Sequence, residues 1–149
     1  MTLGKTVLGN KIPYLLFEAK KETKVVAVAI ARQHPGEAVG SWMMEGLINQ
    51  LEERKSFDYI TWVVIPMVNI DGVILGNNRT GVLGHDFNRN WAADEISMAK
   101  NSRLFPELSG VITLVKSLKK KYPRKVKMFL DLHGHSSQPN VFTYGPPHE

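Results

Sequence analysis

Cysteine is absent from this chain. That excludes a disulfide framework, a thiolate metal site and a cysteine nucleophile. Long apolar runs are missing too. The longest, Val25-Val26-Ala27-Val28-Ala29-Ile30-Ala31, is far too short to span a bilayer. Met1-Thr2-Leu3-Gly4-Lys5 carries no signal-peptide core. A soluble, cytoplasmic protein is expected. Acidic residues are in deficit: 14 Asp and Glu stand against 19 Lys and Arg, a net charge of +5. A moderately basic surface suits acidic partners. Much of the excess lies in Lys116, Lys119, Lys120, Lys121, Arg124, Lys125 and Lys127. These read as a solvated helix end whose cations complement the helix dipole. Neither a nucleic-acid partner nor a membrane partner is expected, and the composition leaves the oligomeric state open.

What remains is ordinary globular material. The chain has 149 residues, 43% hydrophobic and 22% charged. That length suits one domain, able to bury roughly 70% of its unfolded surface. Residues 5–9 and 12–18 read as short strands around a turn at Gly9-Asn10-Lys11. The run 25–31 is rich in β-branched residues and suits a strand buried on both faces. From 36 to 54 the period becomes helical, with Val39, Trp42, Met43, Leu47 and Leu51 on one face and Glu52-Glu53-Arg54-Lys55 in solvent. Residues 60–65 form a second buried strand, stopped by Pro66. Strand, helix, strand in that order predicts a right-handed parallel crossover.

Residues 67–105 are loop-rich, and a long irregular stretch in a compact domain is usually either functional or disordered. Helix returns at Glu107 behind Pro106, a residue suited to the first turn. Its inner face is Leu108, Val111, Ile112, Val115, Leu118 and Tyr122. Residues 126–132 form a third strand, and 140–144 a candidate fourth. The expected class is α/β, with a mixed, largely parallel sheet flanked by helices.

In such sheets ligands bind beyond the carboxyl ends of the parallel strands. His34-Pro35-Gly36-Glu37 follows the first buried strand, the 67–91 loop follows the second, and His133 closes the third. Two histidines and a carboxylate with one position left for water form an open catalytic zinc pattern. Iron, cobalt and manganese stay open as alternatives. A lone His-x-x-Glu is common by chance, and a lone strand-end histidine usually serves structure. Three such groups at one sheet edge favour a metal. Asn88-Arg89 pairs an amide with a guanidinium, which can hold a carboxylate through two parallel bonds. Asp86 could orient a metal-bound histidine through its second ring nitrogen. Arg79 alone, like His85 and His135, reads as surface or packing.

These motifs together resemble the zinc metallocarboxypeptidases of the carboxypeptidase A type, and within them the cytosolic branch that includes tubulin deglutamylases. The resemblance is carried by His34-Pro35-Gly36-Glu37, Met67-Val68-Asn69-Ile70-Asp71-Gly72-Val73, Asn78-Arg79, Asp86-Phe87-Asn88-Arg89-Asn90-Trp91 and Asp131-Leu132-His133-Gly134-His135-Ser136. Asn69-Ile70-Asp71 departs from the family's usual Asn-Pro-Asp.

The resemblance implies His34, Glu37 and His133 as ligands of Zn2+ and Asp86 as the carboxylate behind the first histidine. It implies Arg79 as the support for the oxyanion, and Asn88 and Arg89 as the grip on a substrate's terminal carboxylate. It further implies removal of C-terminal residues, glutamate among them, from peptide or protein tails, acidic tails included. The family's general-base glutamate lies well downstream of the third ligand, and Glu149 comes too soon to replace it. Residues 1–149 are therefore expected to be the N-terminal half of a catalytic domain, a truncated form that is inactive alone. The alternatives are an inactive zinc- and tail-binding module, or a related zinc amidohydrolase or deacylase.

Overall fold

The computed structural model describes residues 1–53, 57–91 and 102–145. The main sheet has four strands. These are β3 (Leu15–Phe17), β4 (Val25–Ala31), β5 (Ile60–Ile65) and β6 (Val126–Leu132), in the order β3-β5-β4-β6. The three long strands are parallel, and β3 runs antiparallel against β5. β4 lies between two partners and carries helices over both faces, so Val26 through Ala31 are all buried. That double burial is why its sequence is continuously apolar rather than alternating.

Helix α1 (Val39–Glu53) covers one face, where Met44 and Leu51 meet Ala27, Ala29, Ala31, Trp62 and Val64. A short helix, α2 (Ile70–Ile74), and a single 3-10 turn (Phe87–Arg89) follow β5. Helix α3 (Pro106–Lys121) covers the other face, with Leu108, Val111 and Leu118 against Val26, Val28, Ile30 and Val63. Lys119, Lys120 and Lys121 occupy its last turn, where their charge complements the dipole.

Several expectations are corrected. The buried stripe of α1 is Gly40, Met44 and Leu51, whereas Val39 and Trp42 are 47% and 72% exposed. Gly40 sets this rotation: a Cβ there would lie 2.9 Å from the Leu132 carbonyl oxygen. A glycine contact of this kind is invisible to hydrophobic periodicity. The helix also begins only at Val39, because 36–38 are used in a turn. The solvent tail expected at Arg54 and Lys55 lies outside the described residues, as do 92–101 of the long loop and Glu149.

The first strand lies at β1 (Thr2–Lys5) rather than 5–9, and the expected 12–18 strand is split. Its first part, β2 (Lys11–Pro13), pairs with β1 in a separate two-stranded sheet, while β3 joins the main one. Pro13 has no N–H to continue a ladder. The chain changes sheets just beyond it. Residues 140–144 form no strand, and Asn140 has φ +61°.

Candidate metal centre

Two strand ends deliver the candidate ligating side chains. His34 lies three residues past β4, and His133 directly follows β6, which is β4's parallel neighbour. The turn between His34 and Glu37 is closed by the Glu37 N–H donating to the His34 carbonyl at 3.3 Å. Arg32, in the left-handed region at φ +59°, folds its guanidinium back on this turn. It donates to the Pro35 carbonyl at 2.6 and 3.2 Å and to Ser41 Oγ at 2.6 Å. On the other side the Gly36 N–H donates to the Asn78 carbonyl at 2.7 Å, and a Cβ on Gly36 would lie 2.5 Å from Asn78 Oδ1. The ligand turn is thus gripped from both flanks.

Glu37 stands between the two imidazoles. Its Oε1 lies 2.7 Å from His34 Nδ1, and its Oε2 lies 2.9 Å from His133 Nδ1. The Gly134 N–H donates to Oε2 at 2.8 Å. The opposite ring nitrogens face carboxylates: His34 Nε2 lies 3.0 Å from Asp86 Oδ1, and His133 Nε2 lies 2.7 Å from Asp131 Oδ2. Ligand atoms of His34, Glu37 and His133 all lie within 4.8 Å of one another, the one such group among the described residues. An open cleft of about 660 Å³ is lined by His34 and Glu37 together with Asn78, Arg79 and His135.

Electrostatics favour an ionised carboxylate at the centre. Burial pushes the Glu37 carboxyl up, but hydrogen bonds from Gly134, His133 and His34 outweigh it and hold the group below the usual glutamate range. Asp86 behaves alike: burial raises it, and His34, Arg79 and the Asn88 N–H bring it down. The Asp131 carboxylate raises the His133 pKa against the opposing effect of burial, with Glu37 adding to the rise.

The donor set fits a zinc ion. It offers two imidazole Nδ1 atoms and one ionised carboxylate, with both Nε2 atoms engaged by outer carboxylates.

The other expected site residues arrive as follows. Arg79 donates from Nε to Asp86 Oδ2 at 2.7 Å with its side chain 48% exposed. Asp86 also caps the 3-10 turn through the Asn88 N–H at 2.8 Å. Asn88 Nδ2 lies 3.5 Å from His133 Nε2, and exposed Arg89 donates to the Asn88 carbonyl at 2.9 Å. His85 stacks edge-on against Phe105 and His135 against Phe142, and neither belongs to the ligand group. Sequence reasoning passed over Asp131 and Gln33. A signal for Asp131 existed, because residues two apart on a strand share a face. Gln33 had none, since an amide at the end of an apolar run suggests no chemistry.

A mixed, largely parallel α/β sheet with a histidine–glutamate–histidine cluster at the carboxyl ends of two of its strands defines a candidate metal-binding protein. The chain belongs to the zinc carboxypeptidase family, whose sequence profile matches residues 1–148. It is 41% identical to cytosolic carboxypeptidase 2 of Danio rerio and 38% identical to that of Xenopus tropicalis, over 96% and 97% of this chain. It spans only 20% and 15% of those relatives' lengths. A metallo-carboxypeptidase from Burkholderia cenocepacia superposes with a TM-score of 0.77 at 31% identity, covering 93% of this chain and 37% of that one. Among the described residues no helix is long and apolar enough to cross a membrane.

Proposed function

We propose that residues 1–149 form the metal-binding, N-terminal half of a metallocarboxypeptidase catalytic domain that removes C-terminal residues from peptide or protein tails. One observation carries the reading: in a chain of the zinc carboxypeptidase family, His34, Glu37 and His133 converge at the ends of two adjacent parallel strands. His34, Glu37 and His133 would hold the zinc, and a zinc ion bound there supplies Lewis acidity towards a carbonyl and a water nucleophile. Asp86 accepts the Nε2 proton of His34 and so presents Nδ1 to the centre. Arg79, anchored on Asp86, supports the developing oxyanion. Asn88 and Arg89 grip the terminal carboxylate and make the enzyme an exopeptidase.

The net charge of +5 suits acidic tails as substrates, and the likeness to the cytosolic carboxypeptidases makes glutamate the residue proposed for removal. The names of the relatives support a cytoplasmic location. Metal analysis and hydrolysis of a polyglutamate-tailed peptide, run on this chain and on a longer one, test the reading together. About one zinc per chain is expected, with turnover only in the longer chain and only on peptides with a free C-terminal carboxylate. Equal turnover of an amidated peptide would sink the exopeptidase assignment.

A further inference from the structure

Asp131 lies in β6 two residues before His133, so both side chains project from the same side of the chain. Its Oδ2 lies 2.7 Å from His133 Nε2 and also accepts a hydrogen bond from Gln33 Nε2. Gln33 is 1% exposed and directly precedes His34. Its Oε1 accepts from Trp91 Nε1 at 3.0 Å, and its backbone carbonyl accepts from Asn69 Nδ2 at 2.9 Å. The second carboxylate oxygen, Asp131 Oδ1, is buried without a partner among the described residues.

A neutral imidazole has one N–H, and an ionised carboxylate can only accept. With a cation held at Nδ1 beside Glu37, the ring keeps its single N–H at Nε2, where the Asp131 carboxylate accepts it, and the Nδ1 lone pair is left for the metal. Asp86 stands in the same relation to His34 on the other side of the centre. A buried carboxylate oxygen with no partner is costly to maintain, although the Asp131 side chain as a whole is 25% exposed. All its hydrogen bonding passes through Oδ2, to the imidazole and to Gln33. Gln33 cannot swing away, because Trp91 holds its amide oxygen.

We infer that Asp131 is a positioning residue for the metal centre, fixing the Nε2–H tautomer and ring orientation of His133, and that Gln33, locked by Trp91, holds Asp131 and ties the two ligand-bearing strand ends together. The inference rests on His133 being a ligand, as proposed above.

Zinc alone is the probe, and the whole chain is used. Affinity is read by competition with a chromophoric chelator, His133 ring 15N shifts give the ligating nitrogen and the tautomer, and the metal-free unfolding midpoint controls for folding. Asp131→Asn keeps the shape but can turn an NH2 towards the ring. It is expected to weaken zinc binding ~10- to 100-fold and to leave His133 in mixed tautomers. Gln33→Met, which keeps the volume and loses both amide contacts, moves the same readouts in the same direction by less. Unchanged affinity in folded Asp131→Asn, or weakened affinity with the tautomer unmoved, overturns the inference and leaves the ligand assignment intact. If Asp131→Asn does not fold, Gln33→Met decides by the same criteria. Zinc bound through Nε2 of His133 in the parent chain overturns it whatever the variants do. A parent chain that takes up no zinc brings down the ligand assignment and this inference with it.

Discussion

Two groups of withdrawn acids meet opposite fates in this molecule. Glu37, Asp86 and Asp131 have side chains 22%, 18% and 25% exposed, and each bonds a histidine. Asp71 and Glu107 are each 1% exposed, and among the described residues neither hydrogen-bonds a histidine. Asp71 instead accepts from Thr6 Oγ1 at 2.6 Å, the Leu8 N–H at 2.8 Å and Asn10 Nδ2 at 2.8 Å. It thereby clamps the loop between β1 and β2 onto α2. Glu107, in the first turn of α3, accepts weakly from the Val7 N–H at 3.4 Å, and its Oε2 is buried without a partner among the described residues. Burial, with the nearby Asp71 charge adding, raises its pKa above the usual glutamate range. The same side-chain chemistry thus serves as a staple where the partners are hydroxyl, amide and backbone N–H. Beside an open cleft, with partners that are imidazoles offering a second nitrogen, it becomes a candidate reaction centre.

Substitutions can separate the two groups. The largest expected effect is at the metal edge: His34→Ala should lower zinc affinity by more than the roughly 100-fold expected for an outer contact. Equilibrium competition for zinc measures this, and unchanged affinity would refute His34 as a ligand. Asp71→Ala removes the acceptor of three hydrogen bonds. It should cost about 3 kcal/mol of stability in denaturant titration while zinc affinity stays within a few-fold. A large loss of zinc binding would show that the staple and the centre are one unit.

Gly36→Ala places a methyl on Asn78 and should destabilise by about 2 kcal/mol. It should also loosen zinc, because the displaced turn carries both His34 and Glu37. Stability lost without any change in zinc binding would show that the turn is not shaped by this contact.

The smallest effect concerns Glu107. Its folded-state pKa lies above its unfolded value, so its stabilising contribution is complete below about pH 4.3 and is lost as pH rises through the folded value. Glu107→Gln should remove that decline and match or exceed the parent by about 1 kcal/mol at neutral pH. Unfolding curves across the acid range check it, and parallel pH profiles for parent and variant would count against a buried, protonatable Glu107.

How much was legible varies with the kind of signal. The strands Val25–Ala31 and Ile60–Ile65 were readable because burial on both faces demands unbroken apolar runs. His34, Glu37 and His133 were readable because strand ends and a three-residue spacing are local features. Leu47 and Leu51 do face the core, but the start of the α1 face was misread because a large exposed Trp42 outweighs a small buried Gly40 in any hydrophobic pattern. Helix α2 escaped notice because five residues are too few to show a period, and its Asn69 cap reads simply as a loop residue. Gln33 escaped because its partner Asp131 lies 98 residues away, whereas the Asp131–His133 pair was local and went unread.

The sequence by itself determined which residues could ligate a metal and at which end of a parallel sheet they would stand, since chain direction and side-chain chemistry are carried locally. Only the tertiary structure decided which nitrogen of each histidine faces the centre, and which acids became staples. Those outcomes depend on hydrogen-bond partners that folding brings together from distant parts of the chain.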